Sequence, residues 1–197
     1  MKKIVVFVSG NGSNLQAIID ACKAKVIDGT VDLVVSNSDE AFALKRAYKE
    51  KIKTFYSPWA KSEQSREEYD RGLAAAVKVH NPDLIVLAGW MHVFTDDFLK
   101  HFSGKVINLH PALPGLFPGA RAISDAFWAF REGRIKETGA TVHHVTVELD
   151  KGTPILSRSL TLYKAESLKT LYKRMHELEH VLIIDAINIY FEENDGS

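Results

Sequence analysis

A chain of 197 residues with 46% hydrophobic content holds enough apolar material for one core, and at this length a second would be small. Lys plus Arg and Asp plus Glu both number 25, so the formal net charge is zero, which argues against nucleic acid or an anionic membrane as the main partner. The single cysteine, Cys22, excludes a disulfide framework and, among Ile18, Ile19, Ala21 and Val26, reads as a small buried hydrophobe.

Met1-Lys2-Lys3 leads into an apolar run too short for a signal peptide core or a membrane span, so a cytoplasmic location is expected. Asn11-Gly12-Ser13 therefore matches a glycosylation acceptor in form only. Ile4–Val8, Val31–Val35, Leu84–Ala88 and Val106–Leu109 are short branched apolar runs of the kind that form buried strands. Between them Asn14–Lys25, Ala41–Lys49 and Ser65–His80 carry helical patterns, the last opening with Ser65 and Glu68 at capping-box spacing. Strand and helix in alternation predict a doubly wound, mostly parallel α/β sheet with its ligand crevice beyond the carboxyl ends of the strands. Further on, Thr141–Leu149 alternates, Asp150-Lys151-Gly152-Thr153 turns, and Pro154–Leu162 returns, which predicts an antiparallel hairpin at one end. A long C-terminal helix, about Glu166 to Phe191, places Leu168, Leu171, Met175, Leu178, Leu182, Ala186 and Ile189 on one stripe. No linker or repeat interrupts the chain, so residues 1–197 are expected to form a single domain.

Four places carry candidate chemistry. Ser9-Gly10-Asn11-Gly12-Ser13-Asn14 lies between the first strand and the first helix, where free amides and the helix dipole suit a phosphate. It lacks the Lys of a Walker loop and the third glycine of a dinucleotide fingerprint. Asn108 and His110, at the end of the fourth expected strand, point the same way by strand alternation. Asp150 alone reads as turn chemistry. Together, however, Asn108, His110 and Asp150 make an acyl-transfer set: an amide and an imidazole for a developing oxyanion, and a carboxylate that orients the ring and favours its charged form. His176-Glu177-Leu178-Glu179-His180 imitates a zinc-hydrolase motif, but no convincing third ligand follows before Ser197, and no metal is expected. Glu179 shares a face with Met175 and Leu182, so an inward carboxylate would need a partner. Trp90, Met91 and Phe94 form an apolar corner suited to a flat ring.

Ser9-Gly10-Asn11-Gly12-Ser13-Asn14-Leu15-Gln16, Leu87-Ala88-Gly89-Trp90-Met91, Asn108-Leu109-His110-Pro111-Ala112-Leu113 and Glu148-Leu149-Asp150-Lys151-Gly152 occur in one order and spacing. In this the chain resembles the phosphoribosylglycinamide formyltransferase family from Lys3 to about Glu192. The resemblance implies a Rossmann-like formyltransferase fold. It also implies transfer of the formyl group of 10-formyltetrahydrofolate to the amine of 5-phosphoribosylglycinamide in purine biosynthesis, by a monomer or homodimer. It assigns catalysis to Asn108, His110 and Asp150. The ribose phosphate falls to Gly12, Ser13 and Asn14, and the rest of that substrate to His176 and Glu179. The folate falls to Arg66, to Met91, His92, Val93 and Phe94, to Asn108, and to Thr146, Val147, Glu148, Leu149 and Asp150. The chain departs from common bacterial members at His92, where an arginine is frequent, and at Arg121 in Gly119-Ala120-Arg121. A formyltetrahydrofolate hydrolase would leave the glycine loop idle, and a tRNA formyltransferase calls for a basic extension. A non-catalytic nucleotide-binding module would have no use for the acyl-transfer set.

Overall fold

The computed structural model describes residues 1–195, so the last two residues of the expected domain, 196 and 197, lie outside the described residues. The apolar runs become β1 (Lys2–Val8), β2 (Gly29–Ser36), β4 (Leu84–Leu87) and β5 (Val106–His110), with a short β3 (Lys53–Tyr56) after the second helix. Helices α1 (Ser13–Lys23), α2 (Phe42–Lys49), α3 (Arg66–Lys78), α4 (Asp96–Leu99) and α5 (Ala122–Arg131) connect them, and β6 (Glu137–His144), β7 (Pro154–Thr161) and α6 (Leu168–Asn194) close the chain. The sheet has seven strands in the order β3-β2-β1-β4-β5-β6-β7. From β3 to β5 the neighbours are parallel; β6 runs against β5, and β7 against β6.

Alternation along β1 divides the core. Ile4, Val6 and Val8 pack with Leu15 and Ile18 of α1 and Leu182 and Ile183 of α6 on one face. Val5 and Phe7 pack with Leu73 and Val77 of α3 and with Phe94 and Phe98 on the other. All of these side chains are almost fully buried, and each such burial contributes roughly 1.5–3 kcal/mol. Both faces of the central strands are therefore apolar, as crossover helices on each side require. Cys22 is half-buried behind the first of these clusters, and burial pushes its thiol up to about 11.

Ser65 caps α3 as its spacing predicts: its side chain accepts the Glu68 N–H while Glu68 reaches back to the Ser65 N–H at 2.8 Å. Elsewhere the boundaries move. The first expected helix stops at Lys23, because Lys25 turns left-handed at φ 57°. The strand expected over Thr141–Leu149 runs instead over Glu137–His144. Its pairing with β7 shifts register at Val142/His143, and residues 145–153 form a loop rather than strand and tight turn. Three elements, β3, α4 and α5, fall where the sequence carried no expectation. β3 is a four-residue edge strand with one half-buried apolar residue, Phe55, and so has almost no periodic signal. No described helix is long and apolar enough to cross a membrane.

Candidate active site

β5 ends at His110, and its side chains at 108 and 110 face one carboxylate. Asn108 Nδ2 donates to Asp150 Oδ1 at 3.3 Å, and His110 Nδ1 lies 3.6 Å from Asp150 Oδ2. The Gly119 N–H donates to Asp150 Oδ2 at 3.0 Å. Asp150 reaches this position with a left-handed backbone, φ 53°, which aspartate tolerates better than most residues. Burial works against its charge, but the neighbouring His143 ring, the Gly119 N–H donated to it and the nearby His110 together hold the carboxyl below its ordinary range. His110 Nε2 lies 3.0 Å from the Phe117 carbonyl, which can only accept, so that nitrogen carries hydrogen. Nδ1 can then donate to Asp150 only in the imidazolium form. Phe117 is held at φ 45°, a strained conformation for a bulky residue, and this aims its carbonyl at the ring.

His143 completes the group, and nothing in the sequence reading singled it out. It stands opposite Asn108 in the β5–β6 pairing. Its Nδ1 donates to the His144 carbonyl at 2.9 Å, which leaves Nε2 to accept Asn108 Nδ2 at 3.2 Å. The signal that could have found it was the alternation of Thr141, His143 and Val145 on an expected strand, but antiparallel pairing fixes which residue meets Asn108, and that partner is not visible in one strand alone.

These groups open into a cavity of about 370 Å³, a size suited to a small organic ligand. The catalytic candidates line it together with Asn14, Met91, His92, Val93, Phe94, Thr146, Glu148, Leu149, His176 and Glu179. Trp90 and Phe94 are mostly core, stacked with centroids 6.0 Å apart, while Met91 is 58% exposed at the rim. Arg66 and Val147 do not line this cavity. Val147 faces a shallow neighbouring depression.

A second basin adjoins the first, sharing Asn14, Gly89, Met91 and His176. One wall is Ser9 to Asn14, and the other is Lys173, His176, Glu177 and His180 on α6. No side chain caps α1 at Gly12, so its first-turn N–H groups are open. Gly12 sits at φ 73°, and a Cβ there would stand 2.6 Å from Ala43 Cβ, so only glycine fits. Glu179 is buried and bonds His176 Nδ1 at 2.6 Å, which raises the His176 pKa. His180 also faces this basin with Nε2 buried and unpartnered. The sequence had marked it only within the zinc-like pattern; no group of three His, Cys, Asp or Glu able to hold a metal occurs among the described residues.

A family model described as formyl transferase matches residues 2–187. The chain is 39% identical over 198 residues to a phosphoribosylglycinamide formyltransferase of Dictyostelium discoideum, covering 94% of this chain and 96% of that protein. It is 41% identical over 179 residues to the protein of the same name from Escherichia coli, covering 91% of this chain and 82% of the other. The chain belongs to the formyl transferase family. Membership makes it an enzyme acting on small molecules and implies a folate-type formyl donor. Among solved structures, glycinamide ribonucleotide transformylase 1 from Symbiobacterium toebii superposes with a TM-score of 0.88 at 33% identity, over 95% of this chain and 86% of that one.

Within this formyltransferase the departure at His92 has a structural counterpart. Arg66 Nη1 donates to His92 Nδ1 at 2.9 Å and Nη2 to the Val93 carbonyl at 2.8 Å. Arg66 Nη2 also lies 3.1 Å from Asp70 Oδ1, at an angle that makes a charge contact rather than a hydrogen bond. Since a guanidinium only donates, His92 must carry its hydrogen on Nε2, and Asn37, 3.1 Å away, must turn its carbonyl oxygen to that nitrogen. Burial first, then the charges of Arg66 and Lys61, push the His92 pKa down to about 4. The ring is neutral at physiological pH, and Arg66 supports the cavity rim from behind. Arg121, the other departure, lies at the start of α5 and donates no side-chain hydrogen bond among the described residues.

Proposed function

We propose that this formyltransferase moves the formyl group of 10-formyltetrahydrofolate onto the amine of 5-phosphoribosylglycinamide in the cytoplasm, with Asn108, His110 and Asp150 as its catalytic set. One observation carries the reading: an amide, an imidazole and a carboxylate from distant parts of the chain converge in a cavity that a second basin adjoins. One basin is mostly apolar and bordered by residues 91–94, 146 and 148–150, as a flat pterin with polar edges requires; the other ends in an uncapped helix terminus, as a phosphate requires.

The folate supplies a formyl group on a nitrogen that can leave. Gly12, Ser13 and Asn14 bind the ribose phosphate, and Glu179 with His176 hold the remainder so that the neutral amine lies against the formyl carbon. As the C–N bond forms, Asn108 Nδ2 and His110 donate to the oxygen that gains charge. The Phe117 carbonyl now takes the His110 Nε2 hydrogen that this oxygen needs, so the substrate oxygen replaces it. Asn108 is redirected cheaply, since its present contacts are long at 3.2 and 3.3 Å. Asp150 orients both donors and, directly or through water, relays the proton lost by the amine to the departing folate nitrogen.

The test is to mix the protein with formyl-folate, with and without phosphoribosylglycinamide, and follow the formyl group. Formylated glycinamide ribonucleotide is expected only with the acceptor present; formate release without it would replace transfer by hydrolysis. Asp150→Asn and His110→Ala should each lower kcat by about 100-fold or more while phosphate still competes with the acceptor. Undiminished turnover in both would remove the catalytic assignment.

A further inference from the structure

Arg46 on α2 is a half-buried cation that no described carboxylate pairs with; the nearby Glu50 is taken by Lys23. Its guanidinium is spent instead on the glycine loop and the helix behind it. Nε donates to the Asn11 carbonyl at 2.9 Å, Nη2 to Asn11 Oδ1 at 3.0 Å, and Nη1 to Gln16 Oε1 at 3.4 Å. One turn earlier, the Ala43 N–H donates to the Gly10 carbonyl at 3.2 Å. Two successive loop carbonyls are thus held on the α2 side.

A trans peptide is planar, with its C=O and N–H pointing in opposite directions. The peptide that contributes the Asn11 carbonyl also contributes the Gly12 N–H, and that of Gly10 contributes the Asn11 N–H. The loop lines the second basin, whereas Ala43 and Arg46 do not, so the two α2 residues that hold the loop carbonyls stand outside the cavity. Carbonyls held towards α2 therefore leave the Asn11 and Gly12 N–H groups facing the basin. A positive charge donating to the Asn11 carbonyl also polarises that peptide, and hydrogen bonds in series strengthen one another.

We infer that Arg46 is a positioning residue for the phosphate: it orients the Gly12 peptide, lends its charge to the N–H that meets the anion, and touches no substrate atom. The inference rests on the reading of this loop as the phosphate seat. It explains why a cation that no described acid pairs with sits beneath the loop, and why its longest bond fastens α1 at Gln16 to the same point. Tight packing of Gly12 against Ala43 keeps the two pieces in fixed relation.

The experiment compares the wild-type enzyme with Arg46→Gln and Arg46→Lys. For each it measures kcat, the Michaelis constants of both substrates, and the inhibition constant of inorganic phosphate against the acceptor. With Arg46→Gln the acceptor KM and the phosphate inhibition constant are expected to rise together by about tenfold, roughly the worth of one charge-assisted hydrogen bond, while kcat and the formyl-folate KM stay within about twofold. Arg46→Lys, which keeps the charge without the fork, should fall between. Two outcomes overturn the inference: a phosphate inhibition constant that does not move, or a loss shared by kcat and both Michaelis constants. If the wild-type enzyme itself is indifferent to phosphate, the reading of the loop fails first, and that failure is visible before any variant is made.

Discussion

Asp150 is surrounded by Asn108, His110, His143 and the Gly119 N–H, and this crowd is what makes a buried carboxylate tolerable. His143 has the least replaceable part, because it holds the same Asn108 amide nitrogen that bonds Asp150 while its own ring is fixed by the His144 carbonyl. Replacing it with alanine should let the Asn108 amide swing and lower kcat by about 10- to 100-fold, since small displacements of a catalytic group are expensive. His143→Gln, which restores an acceptor for Asn108, should recover part of the loss. Steady-state kinetics decide it, and full activity in the alanine variant would reduce His143 to packing. Asn108, His110 and Asp150 were legible beforehand because each has reactive chemistry at an element end. His143 was not, because its significance lies in a cross-strand partner.

The loop between β6 and β7 carries Asp150, and its closure depends on Gly152. A Cβ on Gly152 would stand 1.5 Å from the His144 carbonyl oxygen, and that oxygen already accepts from His143. No side chain can yield there, since the obstacle is backbone. Gly152→Ala should therefore displace the loop, carry Asp150 away from His110, and cost about 100-fold or more in kcat. Chromatography and circular dichroism should still report a folded protein, because the loop is peripheral to both apolar clusters. Near-normal turnover would show that Asp150 is positioned by something other than this loop. The strong elements were readable: α3 from its cap and β1, β2, β4 and β5 from branched apolar runs. The extent of β6 was misjudged, because alternation continues through Val145 and Val147 after pairing with β7 has ended. Hydrophobic pattern reports faces, whereas strand ends are decided by hydrogen bonds.

Charge state ties the whole molecule together. The His176 pKa is raised, first by its hydrogen bond to Glu179, so its stabilising contribution is complete below the ordinary histidine value and lost as pH rises through the folded one. The Asp150 pKa is depressed, so its contribution is complete above the ordinary carboxylate value and lost as pH falls through the folded one. Urea unfolding of wild type and His176→Gln between about pH 5.5 and 9 should show a stability difference that is greatest at the acid end and fades towards the alkaline end. The difference should be modest, because the imidazole is nearly half exposed; one that grows with pH would contradict the pairing. At this scale the doubly wound plan followed from strand and helix in alternation, and the reversal of direction after β5 was foreseen only as a hairpin. That reversal has a price of its own. Asn108 and His143 face each other across the seam where neighbouring strands begin to run in opposite senses. Adding or deleting one residue within β6 would turn His143 to the far side and present Val142 or His144 in its place, whereas the stretch 111–136 can lengthen or shorten without disturbing the match. Evolutionary drift in such a chain is channelled into its connections and barred from its seam.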